Sequence, residues 1–389
     1  MTFGTMAIRF TLSDRRKLRR IISVVLMVMA MGAAGAWVQY SRPSPLYLGF
    51  IGPLAGGYGD VGQAARNGTI LAIEECNNDG GIEDHPVELL IDDESAGTSR
   101  IADFLSTMAR KHAPATVGPM TSEGALFASI ESQRNGIVLF SPTAGPDELT
   151  GRDDLFFHLY PSCTQLMDQL ARYMYSWRRL ARPAVIVDDS LGNFGLQMAG
   201  DFAKAYALSV SEPVRIIRYS SASEGPFRDT AQRAASVNPD SILILAGPQQ
   251  TAMLCQYLKR AGCNVPVAAT ELAASDELVA YGGSAVEGLF FYHSFDRYYP
   301  SERYESFRLR FRRRFGREST FAAVHAYDAA RILLTAIAEK HPKTDIRQAL
   351  SEMRFFEGVQ GRIAISGTGD VHRELFLSTV RNGAFRAMD

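Results

Sequence analysis

From Leu46 onward the chain alternates short apolar runs with longer amphipathic ones. Leu46 to Ile51 is an unbroken apolar run of strand length. Pro53 to Gly62 carries four glycines, so the backbone there can turn tightly and approach a ligand closely. From Val61 to Cys76 the apolar residues Ala64, Ile70, Leu71, Ala72 and Ile73 recur at helical spacing, and Asn77-Asn78-Asp79-Gly80-Gly81 stops the helix. The same rhythm predicts strands over Val87–Asp92, Ala115–Val117, Ile137–Ser141 and Leu155–Tyr160, with helices over Ser99–Lys111 and Ser122–Asn135 between them. It restarts with a helix from about Thr164 to Arg179. Strands over Ala184–Asp188, Val214–Tyr219, Ser241–Leu245 and Val265–Ala269 then alternate with helices over Leu196–Ala207, Arg228–Val237 and Thr251–Arg260. Two long helices follow, near Glu302–Phe315 and Thr320–Glu339, and the ending is strand-like at Arg362–Ser366 and Glu374–Val380.

Strict βα alternation implies parallel sheets covered by helices on both faces. Two such stretches, changing over near Pro161, fit two α/β lobes with a cleft between them. A glycine-rich loop leaving a parallel strand points to small-molecule recognition at the strands' carboxyl ends, and by itself says nothing of catalysis.

Charge sharpens the picture at the N-terminus. The chain has 389 residues and a formal net charge of −1, but Arg9, Arg15, Arg16, Lys17, Arg19 and Arg20 against Asp14 give the first 20 residues +5, leaving the rest near −6. Ile21 to Val38 has no charged residue, and Ala34-Gly35-Ala36 supplies an A-x-A site, so residues 1–36 match an export signal. Eighteen uncharged residues also suffice to span a bilayer, with the positive end held in the cytoplasm, so a retained membrane anchor stays open. Both place the body outside the cytoplasm, in the periplasm. A mildly acidic body argues against nucleic acid and against a polybasic membrane patch, so the only expected membrane contact is the N-terminal segment if it is kept. Four cysteines enter an oxidising compartment. Cys255 and Cys263 can pair only if the chain turns back after Arg260, because a continuous helix would hold them about 12 Å apart. Buried free thiols are the alternative, and none of the four cysteines or seven histidines has metal-ligand spacing.

The loop ending in Tyr58-Gly59-Asp60, the stop at Gly80-Gly81-Ile82 and the acidic turn Asp92-Asp93-Glu94 resemble the start of a known family. It is the type I periplasmic binding proteins that serve bacterial ABC transporters, and within them the leucine/isoleucine/valine (branched-chain amino acid)-binding family. Further stretches carry the likeness to about Phe385: Val117 to Ser122, Phe140 to Thr150, Ala323 to Ala330 with its Tyr327-Asp328-Ala329, and Gly361 to Asp370. The resemblance implies two Rossmann-like lobes joined by a three-crossover hinge, with crossings near Pro161, Phe291 and Gly358. Lobe 1 is then 46–161 with 292–357, and lobe 2 is 162–291 with 358–389.

It also implies a site. Ser122 falls where the family binds a ligand's α-carboxylate; read from the residues alone, a hydroxyl there caps a helix. Thr143, Ala144 and Gly145 stand where backbone atoms and a hydroxyl grip the head group, although Gly145 lacks that hydroxyl and the stretch also reads as a plain Pro/Gly turn. A lost hydrogen bond to a charged group is worth about 1.5–3 kcal/mol, so a ligand other than a standard α-amino acid stays open. Glu271 stands where an acid pairs the α-ammonium, with a solvated loop acid as the alternative. Tyr58, Phe194 and Phe295 fall at aromatic wall positions, where Phe194 replaces a usual tyrosine; in an arbitrary chain each is more often core.

The function implied is a non-enzymatic solute receptor of an ABC importer. It would close on an amino acid or amino-acid-like molecule and hand it to a permease. A membrane-anchored sensor, and a receptor for amide, urea-like or aromatic-acid solutes, are the alternatives. No G-x-S-x-G, P-loop or H-E-x-x-H occurs, so catalysis, a metal and a cofactor are not expected. The basic run Arg308 to Arg317 carries Phe307, Phe311 and Phe315 four apart, which reads as an amphipathic helix with a solvated basic face.

Overall fold

The computed structural model describes residues 27, 29, 43–210, 212–221, 223, 225–339 and 345–388. The expected signal or anchor over 1–36 lies outside the described residues, apart from Met27 and Met29.

The first half of the chain winds βα units onto one sheet. Strands β1 (Leu46–Gly52), β2 (Val87–Asp93), β3 (Ala115–Val117), β4 (Val138–Ser141) and β5 (Phe156–His158) pair all-parallel in the order β2-β1-β3-β4-β5. Helices α1 (Gly59–Asn78), α2 (Thr98–Arg110) and α3 (Ser122–Asn135) connect them. The second sheet is built from α4 (Cys163–Arg172), β6 (Pro183–Asp188), α5 (Gly192–Ala207), β7 (Arg215–Tyr219), α6 (Pro226–Ser236), β8 (Ser241–Leu245), α7 (Pro248–Arg260), β9 (Val267–Ala269), α8 (Asp276–Gly282) and β10 (Phe290–His293). Then come α9 (Glu302–Phe315), α10 (Phe321–Glu339), α11 (Ile346–Glu352) and the short strands β11 (Phe355–Gly358), β12 (Gly361–Ile365) and β13 (Val371–Arg373). The hairpin β14 (Phe376–Arg381) and β15 (Ala384–Ala387) closes the chain. It joins the second sheet antiparallel to β10, giving the order β15-β14-β10-β9-β8-β6-β7, while β11-β12-β13 form a small antiparallel sheet.

Local chemistry sets the helix ends. Ser162 and Gln165 form a reciprocal capping box at α4, Ser301 caps α9, Asp345 caps α11, and prolines open α6 and α7. The helix expected over Thr164–Arg179 widens into a π-helical turn at Tyr173–Trp177. Strand β10, helices α8 and α11, and strands β11, β13 and β15 were not expected from the pattern; each is a short element.

Each sheet carries a core on both faces. In the first, α1, α9 and α10 cover one face, and α2 and α3 the other. Helix α10 alone among the described residues is long and apolar enough to cross a membrane; it is instead a core helix of this lobe. It packs so close to α1 that a side chain at Gly68 would strike the Ala323 carbonyl. The basic face of α9 is spent on acids, with Arg314 against Glu74 at 2.8 Å and Arg310 against Glu75 at 2.9 Å, while Phe307 and Phe311 are buried. In the second lobe the cores lie under α6, α7 and α8 on one face and under α4 and α5 on the other.

By the sheets and cores they join, elements pass from the first core to the second after β5, back to the first after β10, and to the second again between β13 and β14. The last crossing was expected near Gly358. It comes after Arg373, because Val359, Ile363, Ile365 and Val371 pack into the first lobe's core. All four cysteines are free thiols. Cys255 points into the core from α7 and Gly262 (φ +76°) ends that helix without bringing Cys263 back to it.

Candidate functional site

The candidate residues follow the carboxyl ends of strands in both sheets, where parallel α/β folds bind ligands, and the first lobe's contribution is the head of α3. Its cap is Thr121, one residue before the expected Ser122: the Thr121 hydroxyl accepts the Gly124 N–H at 3.0 Å. Ser122, half-buried, is therefore left out of the cap. The preceding amides are already taken. Glu94 reaches over from the end of β2, accepting the Met120 N–H at 2.8 Å and the Thr121 N–H at 3.0 Å, and the Thr121 hydroxyl also bonds its carboxylate. Glu94 is only 6% exposed, and burial raises its pKa against the pull of these donors. Only a glycine fits opposite it, because a side chain at Gly124 would collide with the carboxylate.

The turn after β4 is closed in the same way. The Thr143 hydroxyl donates to the Met120 carbonyl at 2.8 Å, and the Ala144 N–H donates to Ser141 Oγ at 2.9 Å. Gly145 is glycine for a packing reason. A Cβ there would lie 2.6 Å from the Tyr160 carbonyl oxygen and 2.8 Å from His158 Nδ1. The space that a hydroxyl-bearing side chain would fill is occupied by the first crossover. His158 is fixed there by Tyr160 O at 2.7 Å and Asp370 Oδ1 at 3.2 Å. Asp370 is partly buried, which works to raise its pKa. Hydrogen bonds from His158, Gly151 and Thr368 outweigh this and hold it down to about 2.

The second lobe contributes Glu271, just past β9. Its carboxylate accepts the Tyr160 hydroxyl at 2.8 Å, the Ser294 hydroxyl at 3.2 Å and the Ser294 N–H at 3.4 Å. Tyr160 belongs to the first crossover and Ser294 to the second, so the acid is braced by two hinge strands at once. Burial raises the Glu271 pKa, opposed by the Tyr160 and Ser294 donors and by the Arg373 charge. Arg373, at the third crossover, is buried, and none of its guanidinium nitrogens has a hydrogen-bond partner among the described residues. His325 on α10 completes the hinge, with Nδ1 3.0 Å from Pro142 O and Nε2 3.2 Å from Ser294 O. Two carbonyls favour the protonated ring, while burial and the Arg373 charge push its pKa well down.

The aromatic candidates divide. Phe295 is buried and packs edge-on against Tyr304 at 6.0 Å. It also lines a cavity of about 670 Å³ together with Phe291, Tyr298, Phe321 and Phe385, which neither Ser122 nor Glu271 lines. Tyr58 is 65% exposed and Phe194 36% exposed, each at the start of a helix. The structure thus ties Thr143 to the segment before α3 through the Met120 carbonyl, and Gly145 to Glu271 through Tyr160, while Tyr58 and Phe194 stand apart. Glu94, Tyr160, Ser294, His325 and Arg373 were not picked from the sequence. Their partners lie 23 to 111 residues away for Glu94, Tyr160 and Ser294, which no local spacing reveals. Among the described residues no cluster of His, Cys, Asp and Glu could hold a metal.

The comparisons with known proteins agree with this architecture. The family model for periplasmic binding proteins matches residues 45–384. The Leu/Ile/Val-binding protein homolog 3 of Brucella melitensis is 22% identical over 367 residues, covering 92% of this chain and 95% of that protein. Among solved structures, the branched-chain amino acid transporter substrate binding protein LivJ of Streptococcus pneumoniae, in complex with isoleucine, superposes with a TM-score of 0.74 at 20% identity. That match covers 88% of this chain and 99% of that one. An ABC transporter solute binding protein of Rhodopseudomonas palustris, in complex with 3,4-dihydroxybenzoic acid, superposes with a TM-score of 0.72 at 18% identity, covering 88% and 95%. By its sequence match over nearly the whole described body, and with the type I two-lobed fold, this chain belongs to the periplasmic binding protein family.

Proposed function

We propose that this protein is the extracytoplasmic receptor of an ABC importer, without enzymatic activity, closing its lobes on an amino acid or amino-acid-like small molecule. The two moving bodies are the sheet of 46–158 with the segments that return to it up to Arg373, and the sheet of β6–β10 with the closing hairpin. Ligand binding energy stabilises the closed arrangement, and a membrane permease receives the ligand from it.

The observation that carries this reading is Glu271. A half-buried carboxylate held only by hydroxyls and one amide, with Arg373 nearby but not bonded, retains capacity for a cationic or N–H-bearing partner. It sits where the two crossovers meet, so a ligand bound to it ties hinge position to occupancy. The leucine/isoleucine/valine-binding relatives support the amino-acid-like class, and the dihydroxybenzoate-bound neighbour makes aromatic acids a necessary arm of the test.

A thermal-shift screen of the full chain against amino acids, amides, amines and aromatic acids tests it. Ligand at a hundred times its Kd adds about 2.7 kcal/mol of stability, enough to move Tm by several degrees. The expected result is a shift from nitrogen-bearing solutes that Glu271→Gln abolishes. A shift from aromatic acids alone, kept by Glu271→Gln, removes the amino-acid-like reading while leaving a solute receptor.

A further inference from the structure

The first lobe's face of the cleft has spent part of its donors internally (the Met120, Thr121, Gly124 and Ala144 amides and the Thr143 hydroxyl) and holds a carboxylate of its own. At the head of α3, Glu94 takes the Met120 and Thr121 amides and Thr121 caps the Gly124 amide, leaving the Ser122 and Glu123 N–H groups and the Ser122 hydroxyl. In the adjoining turn, the Thr143 hydroxyl and the Ala144 N–H are both engaged. Gly145 has no hydroxyl and no room for one against His158 and Tyr160. On the second lobe Phe194 offers a ring without a hydroxyl. A ligand carboxylate placed at the remaining donors of α3 would lie within one helical turn of the Glu94 carboxylate. Like charges sharing a desolvated site repel strongly, and the helix end that could offset this is already neutralised by Glu94.

On the opposite wall Glu271 accepts hydroxyls and one amide and forms no ion pair, with the Arg373 charge nearby but not bonded to it, so it keeps acceptor capacity for a ligand N–H. We infer that the ligand presents a nitrogen to Glu271 and no free carboxylate to α3: it is a small amine or amide, selected over the corresponding free amino acid. Glu94 is then a specificity-determining residue that acts by rejection, a built-in anion excluding a second one. This inference rests on the receptor reading above and narrows its ligand.

The test uses matched sets on the full chain, purified free of ligand, by isothermal titration. One set is leucine, leucinamide, 3-methylbutylamine and 4-methylpentanoate; the other is phenylalanine, phenylalaninamide, phenethylamine and 3-phenylpropanoate. The expected result is that the amide or amine binds at least about tenfold tighter than its amino acid, a difference of about 1.4 kcal/mol, with no binding of the simple acids. Glu94→Gln, checked for folding by circular dichroism, is expected to shrink that ratio about fivefold or more by admitting the amino acid. If the variant does not fold, the ratio in the parent protein still decides. An amino acid binding as tightly as its amide overturns the inference and leaves the receptor reading standing. Binding of the simple acids alone overturns the inference and Glu271 as a nitrogen partner. A ratio that favours the amide but is unmoved in folded Glu94→Gln overturns the role of Glu94. Silence from both sets and from the wider solute screen, on folded protein, overturns the inference and the receptor reading together.

Discussion

The two lobes prepare their faces of the cleft in opposite ways. The first lobe closes its polar groups upon one another: Glu94 on the amides before α3, Thr143 on a carbonyl, Ala144 on Ser141, His158 against Gly145. The second lobe sends Glu271 into the hinge, where groups from the first and second crossovers hold it. One face is locally self-sufficient and the other is satisfied only through the articulation between the lobes. On the proposed closure, moving the hinge would disturb Glu271 and leave the α3 head unaltered.

The largest expected effect breaks that asymmetry directly. Glu271→Gln keeps an oxygen to accept from Tyr160 and Ser294 but removes the charge. Losing one partner of a desolvated charge pair costs about 2–5 kcal/mol of binding, so affinity for a nitrogen-bearing ligand falls about thirtyfold or more by titration. Stability moves the other way. Burial opposes the Glu271 charge, so the unliganded variant's Tm at neutral pH is expected to match or exceed the parent's. The same substitution at a merely structural acid would lower both.

Next in size is a pair of buried titrating groups, one in each lobe. His293, on β10, is pushed by burial down to about 4 from 6.5. Its contribution is present above pH 6.5 and lost as pH falls from there to 4, a swing of about 3 kcal/mol. Asp328, on α10, is pushed by burial up to about 6 from 3.8, against the Arg373 charge and the Val359 N–H. Its contribution is complete below pH 3.8 and lost as pH rises through 6, again by about 3 kcal/mol. The two oppose each other between pH 4 and 6. Relative to the parent, His293→Gln should gain Tm as pH is lowered through 6.5 to 4, and Asp328→Asn should gain it as pH is raised through 6. Melting curves of the three proteins from pH 3.5 to 8 check both signs, and parallel curves would remove the titration argument for both lobes.

Much of the frame was legible because it depends on local pattern. The apolar runs from Leu46 to Ile51 and from Ser241 to Leu245 are buried parallel strands, and the Ala-rich stretch ending at Glu339 is helical and buried on nearly every side. Short elements escaped: Phe290–His293 reads as apolar chain near a crossing, and β11 and β13 have only four and three residues. The third crossing was misplaced because Ile363 and Val371 choose their lobe by tertiary packing, which no period encodes. Within the site, the sequence marks Ser122 as the start of a helix, but whether it or Thr121 caps depends on backbone geometry one residue earlier. Glu94 stands out only as part of an acidic turn; its role comes from meeting Met120 and Thr121, 26 and 27 residues on. Glu271 could be nominated, but not the Tyr160 hydroxyl 111 residues away that braces it.

Gly145 is the position at which the first lobe's closure can be forced. Gly145→Ala places a methyl 2.6 Å from the Tyr160 carbonyl and 2.8 Å from His158 Nδ1, so one of them must move. Overpacking of this kind costs about 1–3 kcal/mol, a fall in Tm of several degrees. Gly145→Ser adds a hydroxyl where the family resemblance would put a head-group contact, but meets the same wall. It is therefore expected to lose stability without gaining affinity for amino acids. A tighter fit to an amino acid in Gly145→Ser would show that the crossover yields, and that the first lobe is less closed than its hydrogen bonds indicate.

The smallest effect belongs to the aromatic residues that stand apart. Tyr58 and Phe194 are exposed at 65% and 36%, so truncation to alanine removes little buried area and is expected to change stability by less than about 0.5 kcal/mol. Phe295 offers the contrast: it is buried against Tyr304, and Phe295→Ala should cost about 3–5 kcal/mol whether or not ligand is present. The informative measurement is the ligand-induced shift in Tyr58→Ala and Phe194→Ala. If closure brings these rings onto the ligand, the shift shrinks while the unliganded Tm holds, since their burial then belongs to the closed state alone. An unchanged shift in both variants would confine recognition to the α3 head, the turn after β4 and Glu271, and would make the exposed rings bystanders to closure.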